Sequence, residues 1–206
     1  MTAGASLRWV LLGQFIGALA DNALLLIAVQ MLLERHSPAW TTPALRVFFF
    51  LSIVLLSAHA SAIADAWPKK NVVAAVNTLK LVGCALMLSG TSPLLAYALI
   101  GLGAAAHAPA RYGLLTELSV SGGQLAANAW MEALTVLAML LGTLWVSLML
   151  QGLAILPYTA SSNAMQGTFT LACAYLAATF CAIPVRAQAA SDPRALRRPS
   201  VARHGG

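Results

Sequence analysis

Long apolar runs alternate with short polar segments along most of this chain. The polar segments are rich in glycine, proline and charge, which is typical of turns between helices. The apolar runs lie at about residues 9–33, 46–64, 72–88, 93–112, 126–150 and 164–183. They lack the period-two alternation of strands, and alanine and leucine dominate them. Since a helix needs about 20 mostly apolar residues to cross a bilayer, the pattern predicts an all-α integral membrane protein with six transmembrane helices.

The composition agrees with a membrane protein and excludes several other classes. Of the 206 residues, 60% are hydrophobic and 9% are charged, whereas soluble chains are about half apolar and about a quarter charged. We therefore expect neither a disordered chain nor a nucleic-acid partner, and the net charge of +6 reflects basic loops on one side of the membrane. The three cysteines offer no disulfide framework or zinc-ligand spacing.

The distribution of Lys and Arg predicts the orientation, because cytoplasmic loops carry an excess of these residues. With the N-terminus inside, nine of them fall in cytoplasmic segments and only Arg35 and Arg46 fall outside. Both termini are therefore expected in the cytoplasm. We expect two parts: a six-helix transmembrane bundle over residues 1–184, and a basic, disordered cytoplasmic tail over residues 185–206.

The first apolar run has a second interpretation. Arg8, the apolar residues after it and Ala18-Leu19-Ala20 imitate a signal peptide with its cleavage site. The apolar stretch resumes at Ala23 and continues to Leu33, however, and this length suits a spanning helix better.

Asp21 is the most informative polar residue within a predicted helix. An ionisable group costs about 2.5–3.5 kcal/mol at the centre of a membrane helix, so it needs a reason to be there. Gln14 lies within about 20° of Asp21 around the helix, and Asn22 follows directly. Two interpretations are open: the acid projects into a water-filled cavity, or it is buried and paired with a neighbouring helix.

Arg111 ends the fourth predicted helix, after a run of small residues and Pro109. Proline has no N–H group, so it leaves the carbonyl of Ala105 without its helical partner and can kink the helix. Guanidinium binds phosphate in a bidentate way, so a kinked helix that presents Arg111 to a cavity suits an anionic phosphate. The alternative is a cation that anchors the helix at the cytoplasmic surface. His107 is as readily a packing residue as a functional one.

The fifth predicted helix opens with a polar stripe that ends in Glu132 and Thr135. Its members are spaced for one helical face; they are Gln124, Asn128, Glu132 and Thr135. The stripe either lines a cavity or eases the helix into the membrane interface. Lys80 in the third helix either reaches an interface with its long stem or pairs with an acid such as Asp21.

The loop after the second predicted helix resembles the major facilitator superfamily motif Gly-x-x-x-Asp-Arg-x-Gly-Arg-Lys. It reads Ser61-Ala-Ile-Ala-Asp65-Ala-Trp-Pro-Lys69-Lys70. The acid and the paired bases match, whereas the glycines and the first arginine are replaced. The resemblance implies that Asp65, Lys69 and Lys70 belong to a gating loop.

Four other segments carry a more specific resemblance. They are Gln14-Phe-x-x-Ala-x-x-Asp21-Asn22-Ala-Leu-Leu, Asn77-x-Leu-Lys80-Leu, Gly103-Ala-Ala-Ala-x-x-Pro109-Ala-Arg111-Tyr112-Gly113 and Ala127-Asn128-x-x-Met131-Glu132-Ala133. Together they resemble the bacterial lysophospholipid transporter family within that superfamily, over about residues 10–142. The match to the sixth helix is by hydrophobicity alone.

The resemblance implies one half of a major facilitator fold, with two inverted three-helix repeats and a substrate site between them. It also implies a transporter that moves lysophospholipids from the outer to the inner leaflet of the bacterial inner membrane, where an acyltransferase reacylates them. The implied partners are the lysophospholipid, membrane lipid, that acyltransferase, and a second six-helix half or a second copy of the chain. The resemblance carries the family's substrate-handling acid and base over to Asp21 and Arg111. With the other polar residues of the predicted helices, the candidate substrate-binding residues are Asp21, Asn22, Lys80, Arg111 and Glu132.

The competing interpretation is a membrane protein that does not transport, such as an inactive half-transporter or an assembly partner. An intramembrane enzyme is disfavoured, because His36 and His59 have no acid within five residues downstream. We also find no Ser-His-Asp elbow, zinc-ligand cluster or phosphate-binding glycine loop in the sequence. Nothing in it suggests a metal or a cofactor.

Overall fold

The protein was analysed as a computed structural model, which describes the backbone of residues 3–118, 123–150 and 163–184. The side chains of residues 57–66 and of Lys70 are outside the described part, as is the whole of the predicted tail over residues 185–206. Six helices form the described chain. They are α1 (Ala3–Glu34), α2 (Thr41–Ala66), α3 (Lys69–Leu88), α4 (Pro93–Leu118), α5 (Gln124–Leu150) and α6 (Asn163–Ala182).

Five of these helices, α1 and α3 to α6, are long and apolar enough to cross a membrane. In α2 the described apolar stretch is Thr41–Leu56, which is shorter. The all-α membrane class predicted by the apolar runs is therefore confirmed. A sixth transmembrane span and the cytoplasmic position of both termini remain predictions.

The helix ends at one end of the bundle show how local sequence sets the boundaries. After α1 and after α3 a residue with positive φ follows the last turn: His36 at 49° and Gly90 at 88°. In both cases the next N–H bonds to a carbonyl five residues back, which is the Schellman cap. The Arg35 guanidinium donates to the carbonyls of Gly90 and Thr91 at 3.2 and 3.1 Å, and so joins the two turns.

The packing of the helices has an internal regularity. Helix α1 packs mainly against α5 and α6, and α4 packs mainly against α2 and α3. The first three helices and the last three make equivalent contacts. When α1, α2 and α3 are exchanged with α4, α5 and α6, the interface of α1 with α5 becomes that of α4 with α2, and the interface of α1 with α6 becomes that of α4 with α3. The other two substantial interfaces, α1 with α4 and α3 with α6, stay the same under this exchange.

Two interfaces are close because each contains a glycine. A Cβ on Gly142 of α5 would lie 2.7 Å from the Leu19 carbonyl oxygen of α1. A Cβ on Gly101 of α4 would lie 2.8 Å from the Phe49 carbonyl oxygen of α2. Only glycine permits this approach of two helix backbones, so these interfaces depend on its small size.

The apolar core lies where α1 meets α3, α4 and α6. Its largest fully buried members include Leu24, Ile27, Met87, Leu171 and Tyr175. By contrast, α2 and α5 expose rows of large apolar side chains such as Phe50, Val54 and Leu140. Such rows suit helices that face lipid or another apolar helix.

Candidate functional site

Asp21 lies at the centre of a polar network that joins three helices. The Lys80 ammonium of α3 donates to both carboxylate oxygens, Oδ1 and Oδ2, at 2.7 Å each. The Tyr175 hydroxyl of α6 donates to Oδ1 at 2.8 Å. The Lys80 ammonium also lies 5.4 Å from the centre of the Tyr175 ring. Of the two possibilities that the sequence left open for Lys80, the structure has the pair with Asp21.

The two members of this ion pair differ in exposure. The Lys80 side chain is fully buried, whereas 39% of the Asp21 side chain is exposed. A fully buried ammonium needs a charged partner, because desolvation without one is very unfavourable. Asp21 therefore stabilises Lys80 from one side and still reaches open space from the other.

That open space is a cavity between α1, α4 and α5, which we call the head-group cavity. It has a volume of about 270 Å³. The residues that line it are Gln14, Ala18, Asp21, Asn22, Leu25, Tyr97, Arg111, Thr135 and Met139. The structure thus brings together Asp21, Asn22 and Arg111, three of the residues that the resemblance selected.

Arg111 presents the second charge in the head-group cavity. Helix α4 does not end at this residue, as the sequence suggested, but continues to Leu118 with Pro109 inside it. The guanidinium carbon lies 4.7 Å from the centre of the Tyr112 ring. Among the described residues no carboxylate lies within ion-pair distance of Arg111. Its charge therefore remains available to an anionic ligand.

Two amide side chains of α1 bind α5 at the edge of the head-group cavity. The Gln14 amide donates to the Thr135 hydroxyl at 3.0 Å. The Asn22 amide donates to the Met139 carbonyl at 2.7 Å and to the Thr143 hydroxyl at 2.8 Å. Asn22 is thus engaged in helix packing at the edge of the cavity, which fixes the position of the adjacent Asp21.

The polar stripe on α5 divides into two parts. Thr135 lines the head-group cavity, whereas Glu132 is exposed and is not among the lining residues. Glu132 accepts a hydrogen bond from the hydroxyl of Tyr112, the residue after Arg111. Glu132 is therefore linked to the site through α4, and its proposed contact with substrate remains a prediction.

The gating-loop residues are only partly described. Lys69, at the start of α3, forms an ion pair with Glu117 near the end of α4. The side chains of Asp65 and Lys70 lie outside the described residues. The structure therefore connects Lys69 to α4, while the gating role of all three residues stays a prediction.

Sequence reasoning missed Tyr175 and Tyr97. Tyr175 is fully buried in α6, whose match to the family rested on hydrophobicity alone. A buried tyrosine hydroxyl normally needs a hydrogen-bond partner, so its place in an apolar helix was a usable signal. The identity of that partner, Asp21, depends on the packing of α6 against α1. Within the described ranges no cluster of three acidic, histidine or cysteine side chains suits a metal ion.

Comparison with known proteins gives the relatives of the chain. No protein-family model matches it. The lysophospholipid transporter LplT of Photorhabdus laumondii is 41% identical over 137 residues, which are 66% of this chain and 34% of that protein. LplT of Cronobacter sakazakii is 36% identical and LplT of Escherichia coli 39% identical, with the same two coverages. The resemblance to the lysophospholipid transporter family is confirmed.

This relationship covers part of each lysophospholipid transporter. The chain spans about a third of the length of the curated relatives it matches. The relatives are named as transporters rather than enzymes. Together with the apolar helices, this makes the chain a multi-pass membrane protein related to lipid transporters.

Proposed function

We propose that the chain forms one half of a major facilitator transporter that moves lysophospholipids from the outer to the inner leaflet of the bacterial inner membrane. The observation that carries the proposal is the pair of charges in the head-group cavity. Arg111 and Asp21 line the same space, and among the described residues only Asp21 of these two has a charged partner. The head group of lysophosphatidylethanolamine carries one charge complementary to each.

The phosphate of the lysolipid is assigned to Arg111. A guanidinium can donate two parallel hydrogen bonds to phosphate oxygens, and within the described chain no carboxylate competes for this one. The cavity walls contributed by Leu25 and Met139 are apolar. A charge-assisted hydrogen bond is stronger in such surroundings than in water.

The amine of the lysolipid is assigned to Asp21. A carboxylate offers about four acceptor sites, and Lys80 and Tyr175 occupy three of them. The exposed part of Asp21 faces the head-group cavity and leaves room for one further donor. A lysolipid that lacks the amine, such as lysophosphatidylglycerol, would offer a hydroxyl to the same oxygen.

An apolar groove supports a substrate with a single acyl chain. It has a volume of about 410 Å³ and lies between α1, α5 and α6. Its lining includes Leu19, Leu141, Leu144, Trp145 and Leu148. We propose that the acyl chain lies along such faces while the head group occupies the polar cavity.

The packing regularity supports the proposed half of a major facilitator fold. Such halves consist of two three-helix repeats, and the substrate site lies between them. Helices α1–α3 and helices α4–α6 make equivalent contacts, which is the pattern expected of that repeat. Asp21 on α1 and Arg111 on α4 are then contributed by equivalent helices of the two repeats.

Alternating access in this superfamily requires two bundles that rock against each other. We propose that the partner bundle is a second six-helix half or a second copy of this chain. It would cover the exposed polar residues of α5, which include Asn128 and Glu132. An acyltransferase is the proposed consumer of the delivered lysolipid.

Uptake of labelled lysophosphatidylethanolamine tests the function. The host is a bacterium without its own lysolipid transporter, and it expresses the chain alone or with a second six-helix half. Uptake above the empty-vector level in either strain, lost in Arg111→Gln, is the expected result. Arg46→Gln is the matched control, since Arg46 is exposed and does not line the head-group cavity.

Three outcomes would contradict the proposal in different ways. Uptake that persists in Arg111→Gln would remove the assignment of the phosphate site. Equal loss in Arg46→Gln would point to a general effect of charge removal. No uptake in either strain, despite confirmed insertion in the membrane, would favour a half that does not transport and serves as an assembly partner.

A further inference from the structure

A second, smaller cavity lies behind the head-group cavity, between α1, α3, α4 and α6. Its volume is about 30 Å³, and its lining includes the polar side chains of Gln14, Asn77, His107 and Arg111. Gln14 and Arg111 also line the head-group cavity. These two side chains therefore lie between the two spaces.

Three of these residues have a buried polar atom without a hydrogen-bond partner in the described chain. They are the Gln14 Oε1 carbonyl oxygen, the Asn77 Oδ1 carbonyl oxygen and the Arg111 Nε–H group. Gln14 and Asn77 are 6% and 3% exposed, so bulk solvent does not satisfy them. Buried polar atoms in folded proteins almost always have a partner, and an internal water is the common one when protein groups are absent.

We propose that one ordered water molecule occupies this cavity and holds Arg111 in place. A water donates two hydrogen bonds and accepts up to two. It would donate to the Gln14 and Asn77 oxygens and accept from Arg111 Nε–H. That gives three hydrogen bonds, which is typical of buried waters. The volume is also sufficient, because a polar cavity of more than about 10–15 Å³ can hold a water molecule.

Other occupants fit the donor set less well. A metal cation would lie beside the positive charge of Arg111, and the cavity lining provides no carboxylate to offset it. An anion would face the two carbonyl oxygens, which repel negative charge. Water is the one small ligand that satisfies two acceptors and a donor at once.

The water gives Arg111 a fixed orientation without neutralising it. Through the water, the guanidinium is tied to Gln14 on α1 and Asn77 on α3, so its position at the wall of the head-group cavity is fixed. Asn77 thus acts as a positioning residue. This second step rests on the proposed function, because it assumes that Arg111 binds the phosphate of the substrate.

A structure of the full chain in lipid, at a resolution that shows waters, tests the hydration site directly. One density peak within about 2.6–3.2 Å of the three atoms is expected. A dry cavity would overturn the proposal. A peak with shorter ligand distances that rubidium or thallium replaces would also overturn it, since that is a cation.

Asn77→Leu tests the positioning role, because leucine removes the acceptor and fills the space. We expect the water peak to disappear and the lysolipid concentration for half-maximal uptake to rise about tenfold, with little change in the maximal rate. Thr78→Val is the control, since Thr78 is exposed, lines neither cavity and donates its hydroxyl to the Ala74 carbonyl of its own helix. An unchanged half-maximal concentration in a variant without the water would overturn the positioning role. If the unsubstituted chain does not transport, the proposed function fails, while the peak in its structure still decides the hydration site.

Discussion

Lys80 on α3 and Arg111 on α4 both place a cation inside the apolar bundle, yet in the described part of the chain only Lys80 of the two is paired with a carboxylate. Lys80 is fully buried and bound to Asp21. Arg111 is half-buried, lies against the Tyr112 ring and has no carboxylate partner within the described chain. Asp21, the partner of Lys80, lines the same cavity as Arg111.

The difference shows how one fold uses charge for two purposes. A fully buried charge without a counter-ion would be very unfavourable, so Lys80 must be paired and serves to join helices. A charge at the wall of a polar cavity does not need a counter-ion from the protein, so it can bind a ligand of opposite charge. Pairing therefore separates a cation that stabilises the bundle from one that is available for binding.

The largest expected effect comes from breaking the paired cation. Asp21→Asn leaves the buried Lys80 ammonium without a counter-ion, so we expect a loss of about 3–5 kcal/mol in the free energy of unfolding. The double variant Asp21→Asn with Lys80→Met removes both charges and is expected to recover most of that loss. Reversible unfolding of the purified protein in detergent measures both. Equal stability of the two variants would show that the pair does not stabilise the bundle.

The unpaired cation is expected to behave in the opposite way. Arg111→Gln removes a charge that is paired with no carboxylate of the described residues, so we expect the free energy of unfolding to change by less than about 1 kcal/mol. Lysolipid binding is expected to weaken by about ten- to a hundredfold, the range for a hydrogen bond to a charged group. Titration of the protein in lipid nanodiscs with a spin-labelled lysophosphatidylethanolamine measures the affinity. A large loss of stability with unchanged affinity would show that Arg111, like Lys80, stabilises the bundle and does not bind the lysolipid.

The smallest expected effect concerns the third member of the Asp21 network. Tyr175→Phe removes one hydrogen bond to the carboxylate and keeps the ring beside Lys80, so we expect a loss of about 1 kcal/mol in unfolding free energy. The same unfolding measurement applies, and Tyr112→Phe is a control at an exposed hydroxyl. A loss as large as that of Asp21→Asn would mean that the hydroxyl, rather than the ion pair, holds the network together.

Some features of the site were readable from the sequence, and others were not. Asp21 and Arg111 stand out because ionisable residues are rare in apolar runs. Asn77 belongs to a segment that carries the family resemblance, and Tyr175 is a phenol in an apolar helix, but neither fact says which group the side chain contacts. Their importance follows from atoms that face them across helix interfaces, and the chain sequence does not give those neighbours.

The helices themselves were determined by local sequence. Runs of alanine and leucine of bilayer length, closed by Schellman caps at His36 and Gly90, produce helices whatever they pack against, because the backbone hydrogen bonds are internal to each helix. Which side chains meet was decided only by the tertiary structure. Close approaches such as Gly142 against Leu19 set the relative rotation of the helices. That rotation pairs Lys80 with Asp21 and leaves Arg111 facing the cavity, since a charge finds a partner only where packing brings two helix faces together.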